Sequence, residues 1–299
     1  MAQNDITSKQ NEQTSIDRLA AQRNLYTHSK AISHLLFVAS VLVPVILAIL
    51  KVVITSCPLI PKIIVVYSFM ATLSRIWLKD MTDKRKLMAA KIQQLFDCDL
   101  FGLAWNEALC GTKPKPEDVF NARKGKIDKN LNNWYESIVS ELPLSLGALV
   151  CMRTNVAYDQ SLRKQYSVLC YIITFIAVAI VCSLGMINNT GMWDAFLYGI
   201  IPLMPLITWG IDLHKQHCAN LKALNNIETL IETSLNQAKE GHQPSQRTLE
   251  EIQSFIFLHR KTSYLIPNMF YKIARRKNEA AAFYGANEIC KTYNLFKIK

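Results

Sequence analysis

The chain alternates between long uncharged runs and polar stretches, and the boundaries between them are sharp. Residues 166–187, "YSVLCYIITFIAVAIVCSLGMI", carry no charge over 22 positions. As a helix that run reaches about 33 Å, enough to cross a hydrocarbon core of roughly 30 Å. A helix suits lipid because it satisfies its own backbone hydrogen bonds. Three further runs accompany it: 31–50 with one His and one Pro, 63–78 ending around Arg75, and 195–211 with no charge. The pattern predicts an all-α membrane protein with transmembrane helices at 31–54, 59–78, 166–187 and 194–211. They form two hairpins.

The polar stretches are helical too. Residues 16–30 hold strong helix formers and run into the first span as one helix. Leu87, Ile92, Leu95, Phe96, Leu100 and Leu103 recur near helical spacing over 78–107. "GTKPKPEDV" at 111–119 reads as a loop, broken by Gly and two prolines. Residues 133–143 read as a helix ended by "LPLSLG". In the tail, Leu221, Leu224, Ile227, Ile231 and Leu235 form a core-facing stripe. "EGHQPS" at 240–245 breaks it, and Ser245 caps a helix over 249–266 that Pro267 ends. A last helix spans 278–294. No alternating strand pattern exceeds four residues. The cytosolic domain is therefore helical, built from the 79–165 insert and the 212–299 region, with residues 1–30 a separate cytosolic N-terminal helix.

Charge sets the orientation. Residues 1–30 hold four Lys/Arg, 79–165 fourteen and 212–299 thirteen, whereas the links 55–62 and 188–194 hold only Lys62. By the positive-inside rule both termini and the insert face the cytosol, and the links face outward. Net charge is +11 at pH 7, but no run is basic enough for a nucleic-acid polymer. The first 30 residues lack a cleavable signal pattern, so the first span is retained as an anchor. The cysteines at 57, 98, 110, 151, 170, 182, 218 and 290 include no CxxC and read as free thiols.

Catalytic motifs are missing: no GxSxG, HExxH, P-loop or GxGxxG occurs. His214 and His217 share a helix face, but no second ligand pair has metal spacing. Pro44, Pro202 and Pro205 interrupt two spans, as hinges or as static kinks. Ahead of the third span lies a polar cluster. Asp159 and Arg163 stand at i and i+4, in the favourable order for an ion pair. Arg163, Lys164 and Tyr166 suit a membrane boundary. Arg153, Asn155 and Asp159 lie too far out for that role alone. They suggest a stem joining a cytosolic site to the third span.

Three stretches carry a resemblance: "LAAQRNLYTHSK" at 19–30, "CMRTNVAYDQSLRKQY" at 151–166 and "IQSFIFLHRKTSYLIPNMFYKIARRKNE" at 252–279. They look like the signature regions of the SMODS-associated four-transmembrane effectors of bacterial cyclic-oligonucleotide antiphage signalling (CBASS). The matching positions are Ala21, Gln22, Arg23 and Tyr26; Arg153, Asn155, Asp159, Leu162 and Arg163; and Gln253, Arg260, Pro267, Tyr271 and Arg275. Asn268 and Met269 depart from the acidic or aromatic pair expected there. The resemblance implies a non-enzymatic, multi-pass effector of the bacterial inner membrane. A partner nucleotidyltransferase makes a cyclic oligonucleotide, the activating ligand. The effector binds it on the cytosolic side and disrupts the membrane, as a homo-oligomer and with no cofactor. Guanidinium groups suit its phosphates and aromatic rings its bases. The candidates are Arg153, Asn155, Tyr158, Asp159, Arg163, Arg260, Lys261, Tyr271, Arg275 and Arg276, with Trp105 or Tyr158 for stacking. The alternatives are a constitutive channel or transporter subunit, or a passive membrane scaffold that docks a cytosolic partner.

Overall fold

The computed structural model describes residues 4–53, 59–123, 131–187, 201–293 and 295. The helices are α1 (Ile6–Lys9), α2 (Gln13–Phe37), α3 (Val43–Val53), α4 (Leu59–Phe101), α5 (Glu107–Cys110), α6 (Pro116–Ala122), α7 (Leu144–Ile187), α8 (Ile201–Lys239), α9 (Gln246–Thr262) and α10 (Asn268–Thr292). A π-helical turn, Val38–Leu42, joins α2 to α3, and a 3₁₀ turn, Ser137–Glu141, precedes α7. Among the described residues there is no strand.

The polar and apolar patterns share single helices. α4 runs 43 residues and α7 44, each passing from an apolar run into the polar stretch beside it without a break. Among the described residues one helix, Gln13–Leu47, is long and apolar enough to cross a membrane by length and composition. Elsewhere the apolar runs stand bare. On α4, Val65, Val66, Phe69 and Trp77 are exposed, Trp77 at 79%. On α7, Val168, Ile172, Phe175 and Ile176 are exposed as well. Blocks of this size call for a non-aqueous cover. The expected starts of the outward links and of the fourth run, at 54–58 and 188–200, lie outside the described residues.

Several local expectations are corrected. The 111–119 stretch is not all loop: Pro116 opens α6, where its missing amide is no loss, and Asp118 accepts from the Lys115 amide. Residues 133–143 are not an α-helix. Asn133 takes a positive φ of 53°, and only a 3₁₀ turn follows. "LPLSLG" starts a helix rather than ending one, because Pro143 precedes Leu144 at the head of α7. The 78–107 helix stops at Phe101, where Gly102 turns left-handed. Ser245 caps α9 by accepting from the Thr248 amide, but α9 ends at Thr262, ahead of Pro267. Pro267 instead precedes α10, which starts ten residues earlier than the 278–294 reading.

One core organises the polar half of the chain. Ile16 and Leu19 of α2 meet Phe96 and Leu100 of α4, then Leu146, Leu149 and Met152 of α7. Leu224, Ile227, Ile231 and Leu235 of α8 and Leu249, Ile252 and Ile256 of α9 close it. The stripe read in the tail is therefore core, with Leu221 at its half-buried edge. In the apolar half, a small cluster of Val41 and Leu206 packs with Phe37 and Trp209, whose rings lie 4.7 Å apart.

Pro44 is accommodated. The Val43 amide donates to the Val38 carbonyl, the i→i−5 register of the π turn. In that register the next amide would serve Ala39, and Pro44 has none. The Tyr67 hydroxyl of α4 donates to the Ala39 carbonyl instead, at 2.7 Å. Pro202 and Pro205 lie in the first described turns of α8. Tyr67→Phe should cost about 1 kcal/mol in thermal unfolding in detergent. In a Pro44→Ala background, which restores an amide donor, that cost should largely vanish.

Candidate functional site

Where α2, α4, α7 and α9 meet, polar side chains collect inside the polar half of the fold. Asp97 of α4 sits on the same helical stretch as the core residues Phe96 and Leu100 and is 1% exposed. Arg260 of α9 donates to its Oδ2, as does Gln253 Nε2 at 3.0 Å. The Tyr135 hydroxyl donates to Oδ1 at 3.2 Å and accepts from Asn155 Nδ2 of α7 at 2.7 Å. Gln253 also donates to Gln94 at 2.8 Å. Gln253 and Arg260, seven residues apart, fall on one face of α9, which is why one helix supplies both.

A second carboxylate lies beside the first. Asp159 of α7 accepts from Arg163 Nε at 2.9 Å and from His259 Nε2 at 2.6 Å. A carboxylate only accepts, so Nε2 carries the proton. Burial pushes the Asp159 carboxyl up, but Arg163 and His259 together outweigh it and hold the group well below its usual range. Arg163, 5% exposed, also donates to the Tyr264 carbonyl at 3.2 Å and stacks over the Tyr264 ring at 4.8 Å.

α2 supplies the remaining members. Burial pushes the Tyr26 hydroxyl up to about 12, among the charges of Arg260, Asp159, Arg163 and Asp97. Lys30 lies over the Tyr271 ring, 5.1 Å from its centroid. Burial lowers its ammonium to about 8, although Asp159 favours the charge. Tyr271 in turn packs on Tyr158 at 6.1 Å. The cluster thus gathers Lys30, Arg163 and Arg260 around Asp97 and Asp159, both of which already serve other donors.

The structure brings together Asn155, Asp159, Arg163 and Arg260, with Tyr158 and Tyr271 on one flank. Arg153 is elsewhere. It bridges α7 to α8 through Glu232 at 3.1 Å and Glu228 at 3.3 Å, and Tyr293 donates to the same Glu232 at 2.7 Å. Arg275 pairs with Glu279 on its own helix at 2.6 Å. Arg276 and Lys261 are exposed. Trp105 donates to the Gly111 carbonyl at 2.9 Å and packs with Ala90, Cys110 and Phe257. His214 meets Tyr171, and His217 meets Tyr264. No group of three metal-ligating side chains occurs among the described residues. A cleft of about 620 Å³ opens beside the cluster, between α4 and α9, with Gln94 and Gln253 in its wall.

Residue patterns alone missed Asp97, His259, Tyr135 and Lys30. Asp97 carried a signal: a carboxylate inside "LFDCDL", on a stripe of core residues. His259 lies three residues beyond Ile256 on the buried face of α9. Asp97→Asn should destabilise the protein by about 3–5 kcal/mol, because it strands a buried guanidinium. Adding Arg260→Met should recover much of that loss in the same melting experiment. An additive double mutant would show that the two side chains do not act as a pair.

The family described as "SMODS-associating 4TM effector domain" matches residues 4–289 of this chain. A Bacillus cereus protein named "Probable CBASS effector molecule" is 24% identical over 306 residues, covering 97% of this chain and 100% of its own length. No solved structure matches the chain. All three stretches that converge on the buried cluster fall inside the matched span, and the chain belongs to the SMODS-associating 4TM effector domain family.

Proposed function

We propose that this protein is a membrane effector of antiphage defence that binds a cyclic oligonucleotide at the buried cluster and then permeabilises the membrane. Membership of an effector family, and the similarity to a protein named as a probable CBASS effector, support the defence role. The observation that carries the ligand reading is the local excess of positive charge. Among the described residues Lys30, Arg163 and Arg260 gather around two carboxylates, Asp97 and Asp159, and Lys30 is held on an aromatic ring with its ammonium partly desolvated. A phosphate would supply the missing negative charge, and the Tyr271 and Tyr158 rings would offer a face to a base.

On this reading the four apolar runs span the inner membrane as two hairpins, with both termini cytosolic. A partner nucleotidyltransferase supplies the messenger. α2, α4 and α7 each run from the cluster toward an apolar run, so a ligand that binds one arrangement more tightly biases the spans. Arg153 belongs to this coupling, through its grip on α8, rather than to ligand contact. Several copies assemble, since a pore needs more spans than one chain offers.

Calorimetry with a panel of cyclic di- and trinucleotides tests the reading. One of them should bind the purified protein, and Lys30→Met should weaken it at least tenfold without lowering the melting temperature. Binding by none of them would sink the ligand claim. Dye-loaded liposomes separate the classes of function: an effector leaks only with messenger, a constitutive channel leaks without it, and a scaffold leaks in neither case. A bound anion favours protonated Lys30, whose amine loses its proton near pH 8 in the free protein. Affinity should therefore hold below pH 8 and fall above it, by up to tenfold per pH unit. Lys30→Arg should remove that fall.

A further inference from the structure

The first turns of α10 carry apolar side chains that nothing among the described residues covers. Met269 is 77% exposed and Ile273 71%. They stand at i and i+4, so they share one face, with Lys272, Arg276 and Lys277 exposed beside them. None of the three cations has an ion pair among the described residues, unlike Arg275, which Glu279 holds. The opposite face packs on the fold: half-buried Phe270 meets the Tyr166 ring at 5.3 Å, Tyr271 meets Tyr158, and buried Ala274 packs with Leu162 and Ile266.

The depth of this face follows from those contacts. Tyr166 is the first residue of the uncharged run on α7, and Phe270 packs directly on it. From there α10 runs back along α7, with Asn278 accepting from Ser161 at 3.1 Å and Gln165 at 3.0 Å. The first turn of α10 therefore lies level with the point where α7 becomes apolar, inside a ring cluster of Tyr158, Tyr166, Tyr264, Phe270 and Tyr271. Aromatic rings collect at that depth in membrane proteins. α10 itself is polar overall and far too rich in charge to cross.

We propose that this turn docks on the cytosolic membrane surface. Met269 and Ile273 enter the boundary of an anionic bilayer, and Lys272, Arg276 and Lys277 lie against the lipid phosphates. Apolar side chains flanked by cations are the chemistry of an interfacial helix. Negative headgroups attract basic residues within about a Debye length, roughly 8 Å at physiological salt. The contact anchors α10, and through Tyr271 and Lys30 it touches the buried cluster. The inference rests on the reading of the α7 run as a span.

Quenching by brominated lipid tests both readings separately. The full chain is reconstituted in phosphatidylcholine vesicles with or without phosphatidylglycerol, and the fluorescence added by one new tryptophan is measured against the parent protein. Ile176→Trp, on the exposed flank of the α7 run, reports the span and should be quenched in both vesicles. His242→Trp, on the exposed loop beyond the far end of α8, should be quenched in neither. Ile273→Trp should lose at least half its added signal when phosphatidylglycerol is present. It should match His242→Trp in pure phosphatidylcholine, or when Lys272, Arg276 and Lys277 are all changed to Gln. If Ile176→Trp is quenched and Ile273→Trp is not, the docking is overturned while the span stands. In that case, crosslinking between copies at this turn would assign the face to a second chain. Quenching at Ile273→Trp that persists in pure phosphatidylcholine overturns the anionic recognition. If Ile176→Trp is itself unquenched, the span reading fails and the docking with it.

Discussion

A carboxylate buried to 1% exposure ties together the polar half of the molecule. An ion in that position costs several kcal/mol unless charge and hydrogen bonds meet it from every side. Asp97 obtains its partners from Tyr135, Gln253 and Arg260, which are 38, 156 and 163 residues away in sequence. The segment before α7 and the whole of α9 must therefore be in place for α4 to hold this charge. With Gln253 and Arg260 seated, the register of α9 is fixed, and His259 falls opposite Asp159. The next residues, through Tyr264, close over Arg163. One buried charge thus ties distant pieces of the chain to one arrangement.

Cohesion differs between the two halves of the molecule. The main core draws side chains from α1, α2, α4, α7, α8, α9 and α10. Along the apolar runs, by contrast, α4 and α7 present bare faces, and the described contacts are few, with Val41 and Leu206 at their centre. The long helices are gathered firmly at one end and loosely at the other. A non-aqueous cover must complete the packing of the loose end. The loose end can therefore repack at little cost while the gathered end keeps its form.

The helical plan could be read from the sequence because it depends on local periodicity. The helical character, the stripe at Leu224, Ile227, Ile231 and Leu235, and the Ser245 cap all have short-range causes. Prolines misled at three places for one reason. Pro116, Pro143 and Pro267 look like terminators, yet each lies where a helix begins and a missing amide is harmless. The site was half legible. Asp159 and Arg163 announced themselves by spacing, and the resemblance singled out Tyr26, Gln253 and Arg260. Tyr135 enters only through contacts across the fold, which no local pattern encodes, and Asp97 showed itself locally only as a carboxylate on a core stripe. Arg153 stood out in the sequence as more than a boundary residue, and its partners Glu228 and Glu232 lie more than 70 residues on.

The unbroken course of α7 has a mechanical meaning. From Asp159 to Ile187 the helix extends 28 residues, about 42 Å at 1.5 Å per residue. A rotation of about 5° at the buried cluster would carry the far end sideways by about 4 Å, the scale of one side chain. α7 is in this sense a lever whose fulcrum is the main core. The α2–α3 helix is built differently, since its π turn interrupts the rod within the apolar stretch. The same displacement would pass through α7 as a stiff tilt and through α2–α3 as a bend, and the two would part along their apolar runs.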